Sequence, residues 1–575
     1  MTTAAASANP LLRVDHLNVG FTRGGETRSV VKDVSFTLQA GECLAIVGES
    51  GSGKSVTART IVGLTGANAV VEAETLELDG IDLATVPEKA WRGIRGRRVG
   101  FILQDALVSL DPLRPVGKEI EEALALHGWG SRAARKRKVV DLLESVGVPN
   151  AAVRARQRPD ELSGGLRQRA LIASALALGP ELVIADEPTT ALDVTVQAQV
   201  LDLIAGMKKR GVSVILISHD LSVVARLADH ILVMKGGSVL ESGSAHQVLT
   251  APEHEYTQAL IDAVPGGHTR GERLGPALDV ALPAPDSRVP LDASEGPVLE
   301  ARDLVKRFRG PGGVPSTAVD HVSFTLERGA TLGIVGESGS GKSTTARIAL
   351  ALTGADEGWV KLVGQDWSSV KESKRRHLRN RIAVVYQDPL SSFDPRWTVE
   401  RILVDAVGQA DRVSPDAHAR ARDLLRQVGL TDEVLPRLPL KLSGGQRQRV
   451  AIARALATEP SIIVLDEAVS ALDVSVQAQI LDLLVELQDR IGLSYLFISH
   501  DLGVIHHMSD TVLVMKDGAV VERGTADDVF LRPQHPYTQE LVRSLPTLEE
   551  PRGAGAASAS STGSLPTRAT EAAAR

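Results

Sequence analysis

The octapeptide GESGSGKS occurs twice in this chain, at residues 48–55 and again, unchanged, at residues 336–343. Each copy follows an apolar run, LAIV or LGIV, and opens a helix-like one, VTARTIVGL or TTARIALAL. No other feature constrains the fold as tightly, because strand, glycine-rich turn and helix in that order build a phosphate cradle. Gly48, Gly51 and Gly53, and Gly336, Gly339 and Gly341 in the second copy, let backbone N–H groups curl around phosphate oxygens, while the helix N-terminus adds a positive dipole. Lys54 and Lys342 then reach the β- and γ-phosphates, and Ser55 and Ser343 ligate Mg2+.

The repeat reaches beyond the cradle. LSGG also recurs, but the two lysines and the two LSGG serines are not separated by the same interval. The copies therefore share an order of motifs and differ by small insertions and deletions, as expected for duplication of a whole domain rather than a solenoid unit. A chain of 575 residues has room for that. It divides into a disordered lead (1–11), a first domain (12–265), a Pro-, Gly-, Ala- and charge-rich linker (266–297), a second domain (298–548) and a low-complexity Ala/Ser/Thr tail (549–575), also expected to be disordered.

Within each copy, runs such as CLAIVG, RVGFIL, LVIAD and SVILIS alternate with helical stretches, the pattern of an α/β domain with a largely parallel sheet. The stretch SRAARKRKVVDLLESVG, between RVGFIL and LSGG, predicts a small helical subdomain. The longest apolar runs are strand-sized, short of the roughly 20 residues a spanning helix needs. The N-terminal segment has neither a basic start nor a long apolar stretch, so no secretion signal is expected. A single cysteine, Cys43, leaves no internal disulfide and no protein-only cysteine cluster for zinc or iron–sulfur, and its apolar strand makes it a core residue. Together these features point to the cytoplasm. A net charge of -7 argues against a broad nucleic-acid-binding surface.

Two further elements join the cradles. ELVIADEPTTALD and SIIVLDEAVSALD each end an apolar strand in two acids, at the edge where open α/β sheets place their ligands. Asp186 and Asp466 are the expected Mg2+-side carboxylates, and Glu187 and Glu467 the groups that polarise the attacking water. LSGGLRQR and LSGGQRQR each open a helix with a serine and two glycines, another anion-binding helix start. A domain that already has a P-loop has no need of this second cradle, unless one copy's LSGG closes on nucleotide held by the other.

On these motifs the chain resembles the ABC ATPase family, over nearly everything between about Leu12 and Leu548. The resemblance implies tandem P-loop ABC ATPase domains, each with a RecA-like parallel-sheet core and a helical subdomain, sandwiching two ATP molecules head to tail. It implies Q-loop glutamines at Gln104 and Gln387 that join the Mg2+ ligands, and H-loop histidines at His219 and His500 that contact the γ-phosphate and orient glutamate and water. It further implies D-loops at 191–193 and 471–473 and adenine-stacking aromatics at Phe21 and Phe308. Site one would join Lys54, Ser55, Gln104, Asp186, Glu187 and His219 to Ser443, Gly444 and Gly445. Site two would join Lys342, Ser343, Gln387, Asp466, Glu467 and His500 to Ser163, Gly164 and Gly165. Neither lacks a reacting group, so both are expected to hydrolyse ATP. Leu166 in the first signature and Ala468, where the first copy has Pro188, remove no group with chemistry.

Finer matches narrow the branch. QDALVSLDPLRPVG with QDPLSSFDPRWTV, DVTVQAQVLDL with DVSVQAQILDL, and HEYTQAL with HPYTQEL resemble the dipeptide, oligopeptide and nickel importers. Taken alone, HPYT is a surface turn that docks a C-terminal helix. The branch implies an energy-coupling ATPase peripheral on the inner face of the cell membrane. Its partners would be two transmembrane permease subunits, contacted beside the Q-loop, and an extracytoplasmic solute-binding protein that holds the di- or oligopeptide. Many members carry a cysteine cluster near HPYT; this chain has none, so no iron–sulfur cluster is carried over. Two other readings stay open: an exporter ATPase with separate membrane subunits, and a soluble tandem-ABC translation factor, although such factors usually have a long charged helical linker.

Overall fold

A computed structural model describes residues 9–104, 109–190, 192–266, 269–276, 280, 296–309, 315–410, 416–470 and 472–545. Most of the expected disordered lead, much of the linker, the tail, the end of the second domain beyond 545 and the D-loop residues Ala191 and Ala471 lie outside them.

The first domain runs β1 (Cys43–Val47), α1 (Lys54–Ile61), β2 (Val99–Ile102), α2 (Val116–Leu126), α3 (Arg132–Ser145), α4 (Gly164–Ala175), β3 (Leu182–Asp186), α5 (Val194–Lys209), β4 (Ser213–Ile217), α6 (Leu221–Leu227), β5 (His230–Lys235), β6 (Ser238–Ser244) and α7 (Glu255–Asp262). Its core sheet has the order β6-β5-β1-β4-β3-β2, parallel except for the β5–β6 pair. Every residue of β1 is buried, so the strand reads as a continuous apolar run, as a sheet covered on both faces requires. Cys43, Ala45 and Val47 pack towards Val200, Leu201 and Ile204 of α5. Leu44 and Ile46 face the other way, onto Ala58 and Ile61 of α1 and an antiparallel sheet built on Leu12–Arg23 and Glu26–Leu38. Cys43 is the core residue expected, 1% exposed, its thiol pushed up by burial to about 12.

The second domain repeats the plan with β7 (Thr331–Val335), α8 (Lys342–Ala349), β8 (Ile382–Tyr386), α9 (Val399–Ala410), α10 (Ala417–Gln427), α11 (Gly444–Leu456), β9 (Ile462–Asp466), α12 (Val474–Ile491), β10 (Ser494–Ile498), α13 (Leu502–Met508), β11 (Thr511–Lys516), β12 (Ala519–Thr525) and α14 (Pro536–Arg543). The order β8-β9-β10-β7-β11-β12 is the same one read from the opposite edge. In both sheets the strand leading to a histidine lies between the cradle strand and the acid-pair strand. The carboxyl ends of all three therefore open at one edge.

The halves are joined by packing as well as by the chain. Val194, Ala263 and Leu274 belong to the hydrophobic core centred on the second domain. The stretch after Pro265, which its composition marks as linker, is docked there over residues 269–275. Thr269 Oγ1 lies 3.2 Å from His507 Nδ1, and the N–H groups of Leu274 and Gly275 donate to the two Asp482 carboxylate oxygens at 3.0 and 2.8 Å. The Pro265 carbonyl comes so close to Gly503 that a Cβ there would stand 2.5 Å away. Asp482→Ala removes the acceptor of two backbone donors. It is expected to destabilise the protein by about 1–3 kcal/mol and to speed tryptic cleavage after Arg270 and Arg273. Wild-type cleavage rates at both arginines would show that Asp482 does not hold this stretch.

Candidate functional site

The cradle geometry follows from close backbone packing. Gly48 has φ 144°, and a Cβ on it would lie 2.1 Å from the Met234 carbonyl oxygen of β5; at Gly336 the Met515 carbonyl would be 2.2 Å away. No other residue fits there. Gly53 and Gly341, at φ 99° and 98°, begin α1 and α8 against the carbonyls of Val30 and Ala318. Lys54 Nζ folds back to donate to the carbonyls of Gly48 and Glu49 at 2.6 and 2.8 Å, and Lys342 does the same to Gly336 and Glu337 at 2.7 and 2.8 Å. Burial lowers both ammonium pKa values, and Glu187 and Glu467 counter it most.

The residues present fit a Mg2+ nucleotide. Ser55 Oγ donates to Asp186 Oδ1 at 2.9 Å, leaving Oδ2 buried with no hydrogen-bond donor among the described residues. Ser343 Oγ makes the same bond to Asp466 at 3.2 Å. Burial pushes both carboxyl pKa values up, which an adjacent divalent cation would reverse. When bound, Mg2+ would sit among these hydroxyl and carboxylate groups and neutralise charge on the β- and γ-phosphates.

Glu187 and Glu467 both hold left-handed backbone angles, φ 49° and 52°, fixed by N–H bonds of 2.9 Å to the carbonyls of Ile217 and Ile498. That turn aims each carboxylate at the next strand's histidine. Glu187 Oε1 lies 3.3 Å from His219 Nδ1, and Glu467 Oε1 lies 3.5 Å from His500 Nδ1. Burial disfavours the charged imidazoles, but the paired glutamates outweigh it and hold both histidines above the free value. Burial likewise opposes the Glu187 charge, yet the His219 bond and its other partners hold it below the ordinary carboxylate range; for Glu467 the His500 bond is the largest effect.

The two copies then diverge. Gln104 Nε2 donates to Glu187 Oε2 at 2.7 Å, beside Thr190 Oγ1 at 3.0 Å, whereas Gln387 Nε2 reaches Ser470 Oγ at 3.4 Å. At the signature helices, Ser443 Oγ accepts the Gln446 N–H while Gln446 Oε1 accepts the Ser443 N–H, a reciprocal cap that stabilises α11. Leu166 occupies the Gln446 position in the first copy, and α4 has no side-chain cap at Ser163. Leu166 thus leaves the reacting groups intact but removes a helix cap, which the motif alone did not disclose.

The opposite halves meet at the cradles. Ser163, Gly164 and Gly165 line one cleft with Glu337 and Ser338 of the second cradle. At site one, Asp473 and Val474 border Gly48 and Glu49, and α12 carries Val476 against Gly445, where a Cβ would be 2.4 Å from its side chain. Phe21 is half-buried opposite Arg28 and Ala69; Phe308 lies opposite Ser316, 47% exposed, under Lys306 Nζ. Each aromatic is on the strand paired with the one that touches Gly53 or Gly341. Sequence reasoning missed Glu49, Glu337, Thr195, Ser475, Tyr256 and Tyr537. The only signals were the glutamate shared by both octapeptides and the tyrosine shared by HEYTQ and HPYTQ.

Comparison with known proteins adds the family. The ABC transporter family profile matches residues 31–190 and 319–470, and the profile described as oligopeptide/dipeptide transporter, C-terminal region, matches 240–285 and 521–570. The glutathione import ATP-binding protein GsiA of Pectobacterium atrosepticum is 42% identical over 567 residues, 94% of this chain and 90% of its own. The peptidoglycan transport ATP-binding protein YejF of Agrobacterium fabrum is 42% identical over 553 residues, 94% of this chain and 98% of its own. A solved dimeric ATP-binding cassette in a post-hydrolysis state, bound to ADP and Pi, is 28% identical and aligns over 40% of this chain and 98% of its own, with a TM-score of 0.37.

The histidine–glutamate pairs make nucleotide-free stability depend on pH. The raised histidine pKa contributes stability that is complete below about 6.5 and is lost as pH rises through the folded value. The lowered glutamate pKa contributes stability that is present above the ordinary value and lost as pH falls. Wild type is therefore expected to exceed a His219→Gln, His500→Gln variant in melting temperature most in mildly acid solution, with the gap shrinking as pH rises. Melting curves across that range check it; a gap that widens with pH contradicts the assignment.

Proposed function

Because this chain belongs to the ABC transporter family, as a fused pair of ATP-binding cassettes related to the oligopeptide and dipeptide importers, we propose that it is the subunit that powers uptake of short peptides through separate membrane proteins. It is an ATPase with two nucleotide sites in one polypeptide. The observation that carries the reading is the crossed pairing of the halves: the first cassette's signature faces the second cassette's cradle, so one chain supplies both sides of the ATP sandwich.

In each site the lysine and the helix start hold the phosphates, and the serine and aspartate would hold Mg2+. The glutamate accepts a proton from the attacking water while its histidine fixes the carboxylate and meets the γ-phosphate. Phe21 and Phe308 stack on adenine. The opposite signature serine and glycines complete the cradle only when the cassettes close, so hydrolysis is coupled to a closing and opening motion. Among the described residues no helix is long and apolar enough to cross a membrane. On this reading two permease subunits supply the passage, a solute-binding protein delivers the cargo, and the ATPase works at the inner face of the membrane. Glutathione and peptidoglycan, the cargoes in the names of the two relatives, favour a peptide-bearing solute.

Glu187→Gln and Glu467→Gln are each expected to remove about half of the ATPase activity or more, and together to lower it at least about 100-fold. Full turnover in either single variant would contradict two working sites. The double variant, held closed with ATP and purified from gently solubilised cells, is expected to bring down two multi-spanning permeases. Recovery of ribosomal particles without membrane proteins would replace the transporter reading with the translation factor. Reconstituted vesicles would separate import from export by the side on which peptide accumulates.

A further inference from the structure

Glu49 and Glu337 have no place in the phosphate chemistry above, yet each ties three elements together. The Glu49 N–H donates to Tyr256 Oη of α7 at 3.2 Å, its carbonyl accepts from Lys54 Nζ, and its Oε1 accepts from Ser475 Oγ of the opposite cassette at 3.1 Å. Glu337 repeats all three bonds, to Tyr537 Oη of α14 at 3.1 Å, to Lys342 Nζ, and from Thr195 Oγ1 of the opposite cassette at 2.7 Å. The junction forms in both halves although HEYTQ differs from HPYTQ and Thr195 from Ser475.

The peptide unit between Gly48 and Glu49 is gripped on both edges. Its carbonyl faces the lysine, and its N–H is turned the other way, onto the tyrosine. The same holds between Gly336 and Glu337. The tyrosines are themselves fixed. His254 Nδ1 accepts the Tyr256 N–H, and Glu241 accepts the N–H groups of Glu253 and His254. His535 and Glu522 repeat this around Tyr537. Lys235 and Lys516 lie over the two rings at 4.2 and 4.4 Å. The histidine of the HPY motif therefore caps a helix, and its tyrosine reaches the cradle.

We propose that Tyr256 and Tyr537 are positioning residues that preset the two phosphate cradles, and that Glu49 and Glu337 transmit the seating of the opposite cassette to the nucleotide-binding lysine. The C-terminal region of each cassette thereby sets nucleotide affinity. A pinned cradle binds without first losing loop freedom, so loosening it weakens binding. The proposal rests on the ATP-site reading, and its test keeps the two apart.

Binding of a fluorescent ATP analogue, ATPase kinetics and melting would be measured on the full chain. A Tyr256→Phe, Tyr537→Phe variant keeps both rings under their lysines and loses only the hydroxyls. Its Kd for nucleotide is expected to rise about three- to tenfold, with KM changing by a larger factor than kcat and a modest fall in nucleotide-free melting from the two backbone N–H groups left without an acceptor. Unchanged or tighter binding overturns the proposal, as does a lower melting temperature with unchanged affinity. Glu49→Gln, Glu337→Gln leaves the backbone bonds in place and weakens the contact to the opposite cassette. It is expected to lower the Hill slope of ATP dependence, and an unchanged slope overturns the glutamate role. If wild type binds the analogue no better than Lys54→Ala, Lys342→Ala, the ATP-site reading fails and the inference falls with it.

Discussion

An almost wholly buried ammonium group has to be surrounded by oxygen. Lys54 and Lys342 are each 5% exposed, and much of the architecture serves to meet that demand. Two carbonyls of the turn must point inward at each lysine, which requires the chain to swing through backbone angles open to Gly48 and Gly336. The swing presses those glycines against the carbonyls of Met234 and Met515 on the adjacent strand. The sheet order, the absence of a side chain at the turn and the abrupt helix start are thus parts of one solution. A phosphate arriving there exchanges weak carbonyl partners for a charged one.

The glutamate–histidine pair is built by a second use of strained backbone. Glu187 and Glu467 leave their strands in left-handed conformations that no β-strand residue adopts without a reason. Each is held by a bond to the neighbouring strand, the one that carries the histidine. The carboxylate and the imidazole then hold each other charged against the cost of burial. Around this shared core the copies are not equivalent. Gln104 bonds the glutamate directly, while Gln387 stops at Ser470, and only the second signature helix has its reciprocal cap. Both copies keep the lysine, the acid pair and the histidine, and differ in the groups that bond around them.

Much of this was legible in the sequence, for a physical reason. The cradle, the acid pair and the histidine are each local: a strand, a turn and a few side chains within a dozen residues, with residue types that the backbone geometry demands. The alternation of apolar runs and helices was equally plain, and the second cradle in LSGG hinted that the halves face each other. What stayed hidden depends on backbone groups and distant partners. Nothing in GESGSGKS says that its glutamate meets a tyrosine 200 or more residues away and a hydroxyl in the other half. Leu166 looked harmless because the glutamine it replaces bonds only to backbone. The stretch after Pro265 looked like free linker because its grip on Asp482 comes from two N–H groups, which every residue but proline carries.

That docked stretch has a consequence for the ATPase as a machine. Two separate cassettes must find each other by diffusion, and their pairing weakens on dilution. Here the end of the first cassette is already bound to the second beside its histidine loop, so the local concentration of one half around the other is set by chain geometry. Closing is then a first-order event whose rate does not depend on how many copies the cell makes. These bonds also fix the side of the second cassette at which the first one is tethered.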